Sequence, residues 1–155
     1  MPQWQTVTSD GTASVAEDGF ITVENNEGDE LEPGEVVEFS LTTTDADQGL
    51  LVELVDTAVN LTTGIGAPIA GVVETTISTG DVGRVQIMGA ATVRASASLA
   101  AATLVVASSI NATNIGHVEA SNATTAVGVA YNQAVLGYNM ENGPNATQAR
   151  VYLKL

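Results

Sequence analysis

Arg150-Val151-Tyr152-Leu153-Lys154-Leu155 alternates polar and apolar residues without a break. Successive side chains of a strand point to opposite faces. This period of two therefore puts Val151, Leu153 and Leu155 on one face and Arg150, Tyr152 and Lys154 on the other. The same alternation runs through Val37-Glu38-Phe39-Ser40-Leu41-Thr42 and Arg84-Val85-Gln86-Ile87. Apolar residues recur at helical spacing over no long window except 95–107. Alanine favours helix there, but Val93, Val105 and Val106 flank the segment, and the favoured reading is strand, Ala-rich turn, strand. Short β-branched runs broken by Gly, Asn and Asp recur throughout, the spacing of a sandwich or barrel. Candidate strands fall at 20–24, 36–43, 50–59, 69–77, 84–88, 91–95, 104–107, 117–120, 126–132 and 149–155. The expectation is an all-β chain, a small β-barrel or β-sandwich of about 8–10 strands, with the last strand structural.

Residues 1–19 read differently. They are polar, rich in Thr, Ser, Asp and Gly, and they carry Trp4, the one tryptophan. They are expected to form an extended N-terminal arm ahead of a single β domain at 20–155. Trp4 either folds back onto the domain's own core or anchors the arm in a partner, the role in which tryptophan is enriched at interfaces.

Composition excludes much chemistry. There is no cysteine among the 155 residues, so disulfides, thiolate metal sites and cysteine nucleophiles are ruled out. His117 is the one histidine. Eighteen acidic residues face four basic ones, for a net charge of −14. Such a chain is not expected to bind nucleic acid or an anionic membrane surface, and no apolar window is long enough for a helical membrane span. Met1-Pro2-Gln3-Trp4 lacks the basic and apolar regions of a secretory signal, so synthesis and retention in the cytoplasm until assembly are expected.

The charge is lopsided. Residues 1–83 hold 16 of the 18 carboxylates and no Lys or Arg. The remainder holds Glu119 and Glu141 against Arg84, Arg94, Arg150 and Lys154. The run Glu24–Glu35 is densest. It reads as a solvated acidic loop or as adaptation to high salt, where screening removes the self-repulsion. Interfaces that bury like charges are costly. The four cations are therefore the candidate partner-binding residues, together with Trp4, and the run around Asp29 is expected to face solvent.

Motifs for catalysis or cofactors are weak. Gly64-Ile65-Gly66-Ala67-Pro68-Ile69-Ala70-Gly71 lacks the Lys-Ser/Thr of a phosphate-binding loop and reads as a bend. Asp45-Ala46-Asp47-Gln48-Gly49 lacks the later ligands of a calcium loop and reads as a turn. A strand would place His117 and Glu119 on one face, without a nucleophile to serve. Asn60, Asn111, Asn122 and Asn145 begin glycosylation sequons, as chance allows in a chain this rich in Ser and Thr. The chain is expected not to be an enzyme and to hold no cofactor or metal.

From Glu35 onward the order of features resembles a known family. Ile69-Ala70-Gly71-Val72-Val73-Glu74 is followed by Gly80-Asp81-Val82-Gly83-Arg84-Val85-Gln86-Ile87-Met88-Gly89 and Ala91-Thr92-Val93-Arg94-Ala95. Then come Leu99-Ala100-Ala101-Ala102-Thr103-Leu104-Val105-Val106, Ala126-Val127-Gly128-Val129-Ala130 and the closing Ala149–Leu155 strand. This rhythm resembles the capsid decoration, or cement, proteins of tailed phages and tailed archaeal viruses. One departure is Ala101-Ala102-Thr103, where the family often has Ala-Gly. The resemblance implies a structural protein on the capsid exterior, with the major capsid protein as partner and a homotrimer as assembly. With the acidic composition it points to a haloarchaeal virus. The alternatives are another virion β-protein (tail tube, turret or fibre base) and a cell-surface adhesion or S-layer-like module.

Overall fold

The computed structural model describes residues 19–40, 50–55, 68–107, 115–120, 135–141 and 147–155. Among them are ten strands and no helix: β1 (Phe20–Asn25), β2 (Val36–Phe39), β3 (Leu51–Leu54), β4 (Ile69–Val73), β5 (Val82–Gln86), β6 (Met88–Arg94), β7 (Leu104–Ala107), β8 (Val118–Ala120), β9 (Val135–Asn139) and β10 (Gln148–Lys154). The all-β expectation holds. Residues 1–18 of the expected arm, with Trp4, the segment 126–132, the Asp45–Gly49 turn, Gly64–Ala67 and all four sequon asparagines lie outside the described residues.

Strands β1-β3-β2-β4-β5 close into a small barrel, and β6-β10-β9-β7-β8 form a second sheet. Within the barrel β1 and β3 are parallel, and β1 pairs antiparallel with β5 to complete the ring. The second sheet is antiparallel. Its two edges meet at one corner through a parallel bridge between Ala95 and Val118, where Ser96 donates to the Val118 carbonyl through its backbone N–H (2.9 Å) and its hydroxyl (3.1 Å).

The direction of each side chain decides which core it feeds, and in β4 an irregularity in the pairing with β2 breaks the alternation, so that Ala70 joins the barrel core and Val72 the other. Val23, Val37, Val52, Ala70, Val73 and Val85 point into the barrel with Leu31 and Ile77. Val36, Val55 and Val72 point outward from the same wall and join Ala91, Val93, Leu136, Val151 and Leu153 of the second sheet in another core. Strand β4 is thus covered on both faces, which is why Ile69-Ala70-Gly71-Val72-Val73 carries no polar residue. Full burial of each Val or Leu contributes about 1.5–3 kcal/mol relative to exposure. The second sheet therefore grips the barrel wall with its inner face and turns its outer face away.

Several boundaries differ from the sequence pattern. The Val85/Ile87 alternation suggests a strand running through Ile87, but the chain changes sheets there. The Ile87 and Met88 N–H groups both donate to the Gly19 carbonyl, at 2.7 and 3.2 Å, and β6 begins at Met88. The strand expected over 69–77 stops at Val73, and Ile77 instead forms an isolated bridge with Leu31. His117 precedes β8 rather than lying within it. The strand at Val135–Asn139 was not foreseen. The Ala-rich segment is a turn followed by a strand, as read, and Ala102 sits there at φ +60°.

Candidate interaction surface

The acidic run is built, not merely solvated. Asn25 is buried and donates from Nδ2 to the carbonyls of Ile77 (2.8 Å) and Asp29 (3.0 Å), while its Oδ1 accepts from the Glu27 N–H (2.7 Å). This side chain holds residues 25–29 as a projecting loop with Gly28, Asp29 and Glu30 exposed. The run closes with the turn Glu32-Pro33-Gly34-Glu35. Proline stands before a glycine at φ +86°, and the Glu35 N–H donates to the Glu32 carbonyl at 3.1 Å.

That turn meets the second sheet at Arg94. The Arg94 N–H donates to the Gly34 carbonyl (2.8 Å), Nη1 donates to Glu35 Oε1 (3.1 Å), and Nη2 pairs with Glu32 Oε2. Glu35 Oε2 also accepts from the Glu32 N–H at 2.7 Å. Burial pushes the Glu35 carboxyl above its ordinary value, and the Glu32 N–H and Arg94 pull it partly back. His117 lies on the same junction. Burial, and secondarily the Arg94 charge, hold its imidazole below the ordinary value. Its Nδ1 is buried without a hydrogen-bond partner. Arg94 is thus engaged within the chain, fastening the barrel to β6.

Arg84 projects from the barrel on β5. Its guanidinium carbon lies 4.4 Å from the Phe20 ring centroid, and Nε is 3.8 Å from Glu74 Oε2. Both contacts are on exposed surface, where each contributes under about 1 kcal/mol.

Arg150 and Lys154 lie elsewhere, on the outer face of the second sheet. Along β10 the residues Gln148, Arg150, Tyr152 and Lys154 are exposed, while Ala149, Val151 and Leu153 are buried. Tyr152 stands opposite Tyr138 on β9 and Ala90 on β6, and Tyr138 stands opposite Leu104 on β7. The result is a transverse row, Ala90–Tyr152–Tyr138–Leu104. Tyr138 is 57% exposed, Tyr152 51%, and Met140 and Met88 are exposed to similar degrees. The sequence reading placed Arg150 and Lys154 correctly on a polar face but passed over the tyrosines. The signal was there: Tyr152 is the outward residue between two cations.

A shallow cleft of about 200 Å³ also opens between the barrel and β6, lined in part by Pro33, Gly34, Glu74, Gln86, Thr92 and Gln148. Its one carboxylate is Glu74, so it does not present the paired acids of general acid–base chemistry. Among the described residues no group of three His, Asp or Glu side chains is arranged to hold a metal. The four cations are therefore not one patch. Two are spent on intramolecular contacts, and two flank an apolar, aromatic sheet face.

No protein-family model matches the chain, and no curated protein matches it. Among solved structures it is similar to the N base of the head fibre gp8.5 of bacteriophage phi29. The TM-score is 0.52 and the identity 11%, and the alignment covers 87% of this chain and 92% of that one. At that identity the likeness is one of fold, and it extends over nearly the whole of both chains.

Proposed function

We propose that this protein is a structural component of a virion, seated on the outside of the capsid, where it reinforces contacts between major capsid subunits. The observation that carries the reading is the fold shared with the base of a phage head fibre over most of both chains. The order of Gly-, Ala- and Val-rich segments from Glu35 to Leu155, which resembles capsid decoration proteins, supports it from the sequence side. On this reading the chain is made in the host cytoplasm, assembles as a homotrimer on the shell, and has no catalytic task. The acidic surface points to a haloarchaeal host.

The test is co-sedimentation of the purified protein with shells of the major capsid protein from the same virus. Saturable, stoichiometric binding that raises the shell's resistance to heat or low salt is expected. Recovery of the protein with tails alone would overturn the reading. A second reading, favoured by the same structural neighbour, makes the domain the base of a fibre. Density projecting beyond this domain in micrographs of virions would select it.

A further inference from the structure

The outer face of β9 and β10 is unusual for this chain. Two of its three tyrosines stand side by side there. Met140 lies two residues beyond Tyr138, and its N–H donates to the Arg150 carbonyl at 2.7 Å, so it borders the row. Arg150 and Lys154 bracket Tyr152 about 13 Å apart, by the rise of a strand. Neither makes an ion pair among the described residues, in contrast to Arg84 and Arg94. Exposed tyrosines beside arginine are the composition of interface hot spots.

The complement of this face is present on the same molecule. The Asn25 N–H donates to the Asp81 carbonyl, and the Gly80 N–H donates to the Asn25 carbonyl. The 80–82 segment therefore lies beside the acidic loop. Glu24, Glu27, Asp29, Glu30 and Asp81 gather at that barrel end. In register with Glu24 is Val82, 61% exposed and the most exposed of the large apolar side chains among the described residues. Val82 and the carboxylates beside it, with Arg84 two residues along on the same face of β5, make an apolar and mostly acidic surface, the complement of a tyrosine–methionine face bracketed by cations. The two surfaces cannot meet within one chain: the barrel packs on the inner face of the second sheet, and the tyrosines are on its outer face.

We propose that the Tyr138/Tyr152 face of one copy docks on the acidic barrel end around Val82 of the next copy. The contact is heterologous, joining two different surfaces, so it closes into a ring or propagates. The inference rests on the proposed virion role only in supposing that copies sit side by side. It assigns the surfaces by which they meet.

The experiment is sedimentation velocity on the full chain at fixed salt, with circular dichroism and melting on every variant to verify folding. Arg150→Glu with Lys154→Glu should weaken self-association at least about tenfold. Asp29→Lys with Glu30→Lys should do the same. Mixing the two variants should restore association, because each retains the surface the other has lost. Tyr152→Ser, a change on exposed surface, gives an independent arm should the charge variants fail to fold. Wild-type protein that stays monomeric, or variants that associate as wild type does, overturns the proposal. So does variant chain that self-associates normally while losing capsid binding, since the face then belongs to the capsid. Self-association through these surfaces without any binding to shells leaves this inference standing and overturns the virion role.

Discussion

Arg94, on β6, hydrogen-bonds through Nη1 to Glu35, in the turn that precedes β2, and together with its Nη2–Glu32 pair this ties the second sheet to the barrel across their seam. Glu35's side chain is 10% exposed and that of Arg94 is 30%. Removing the cation from such a pair leaves a carboxylate with little water and one donor fewer. Arg94→Met should cost about 2 kcal/mol, below the range for fully buried pairs because Arg94 keeps some solvent. Glu35→Gln in the Arg94→Met background should recover part of that loss. Urea unfolding of the wild type and the two variants measures it, and an Arg94→Met cost under about 0.5 kcal/mol would mean that the side-chain ion pairs contribute little to holding the seam.

The same junction gives stability a pH dependence of two opposing signs. Glu35 binds its proton more tightly folded than unfolded, so its contribution is present below the ordinary 4.5 and is lost as pH rises through the raised value. His117 does the reverse: its contribution is present above the ordinary 6.5 and is lost as pH falls through the lowered value. Melting temperatures of wild type and His117→Gln should therefore diverge as pH falls from 6.5, with the wild type declining more steeply. Parallel curves there would show that His117 titrates freely. The stability gap between wild type and Glu35→Gln should narrow as pH rises above 4.5.

These two residues also show where the sequence stopped being informative. The alternation in Arg150–Leu155 predicted the two faces of β10 from Arg150 to Lys154, because one face is buried and the other is not, whereas Leu155, read onto the buried face, lies past the strand and is 39% exposed. Nothing local announces that Arg94 will meet a glutamate 59 positions earlier, or that β1 and β3 will run parallel to close a barrel. Val135–Asn139 was missed because Gly137 interrupts it, and glycine weakens a strand on propensity alone. The tyrosine face was half legible: period two put Tyr152 outside, but Tyr138 became its neighbour only through the unforeseen strand.

Gly137 is required by close approach. Its φ is +156°, and a Cβ built there would stand 1.8 Å from the Tyr152 carbonyl oxygen, a backbone atom that cannot swing away. Gly137→Ala must push β9 off β10, and a cost above about 3 kcal/mol or failure to fold is expected. Gly28→Ala is the control, because nothing lies within 4 Å of the added carbon. Similar melting temperatures for the two variants would contradict this packing of β9 on β10.

Ala102 presents the opposite case. It holds φ +60° in the turn before β7, where its N–H donates to the Asn139 carbonyl at 2.8 Å. Asn139, itself buried, donates from Nδ2 to the carbonyls of Leu99 and Ala100, so the turn is fixed from outside. An alanine in left-handed conformation costs on the order of 1 kcal/mol, and glycine relieves it while adding freedom to the unfolded chain. Ala102→Gly should leave stability unchanged or raise it by up to about 1 kcal/mol. A clear loss in chemical denaturation would show that the methyl group packs usefully in that turn.

The last expectation concerns salt. Residues 1–83 carry sixteen carboxylates and no base, and among the described residues the loop around Asp29 and Glu30 projects into solvent with Glu24, Glu27 and Asp81 at the same barrel end. At about 0.1 M salt the Debye length is about 10 Å, long enough for these charges to repel one another across the barrel end. At about 1 M it falls to about 3 Å, and the repulsion is confined to direct neighbours. Folding concentrates these charges relative to the unfolded chain, so screening favours the folded state. The Arg94–Glu35 pair, being partly buried, loses less to salt than the exposed carboxylates gain. The melting temperature should therefore rise steadily between about 0.1 M and about 3 M KCl. Replacing Asp29 and Glu30 by Asn and Gln should flatten that rise and increase stability at the low-salt end. A melting temperature that is flat or falls with KCl, or a neutralised loop that leaves the slope unchanged, would remove both the charge-repulsion argument and the case for a saline host.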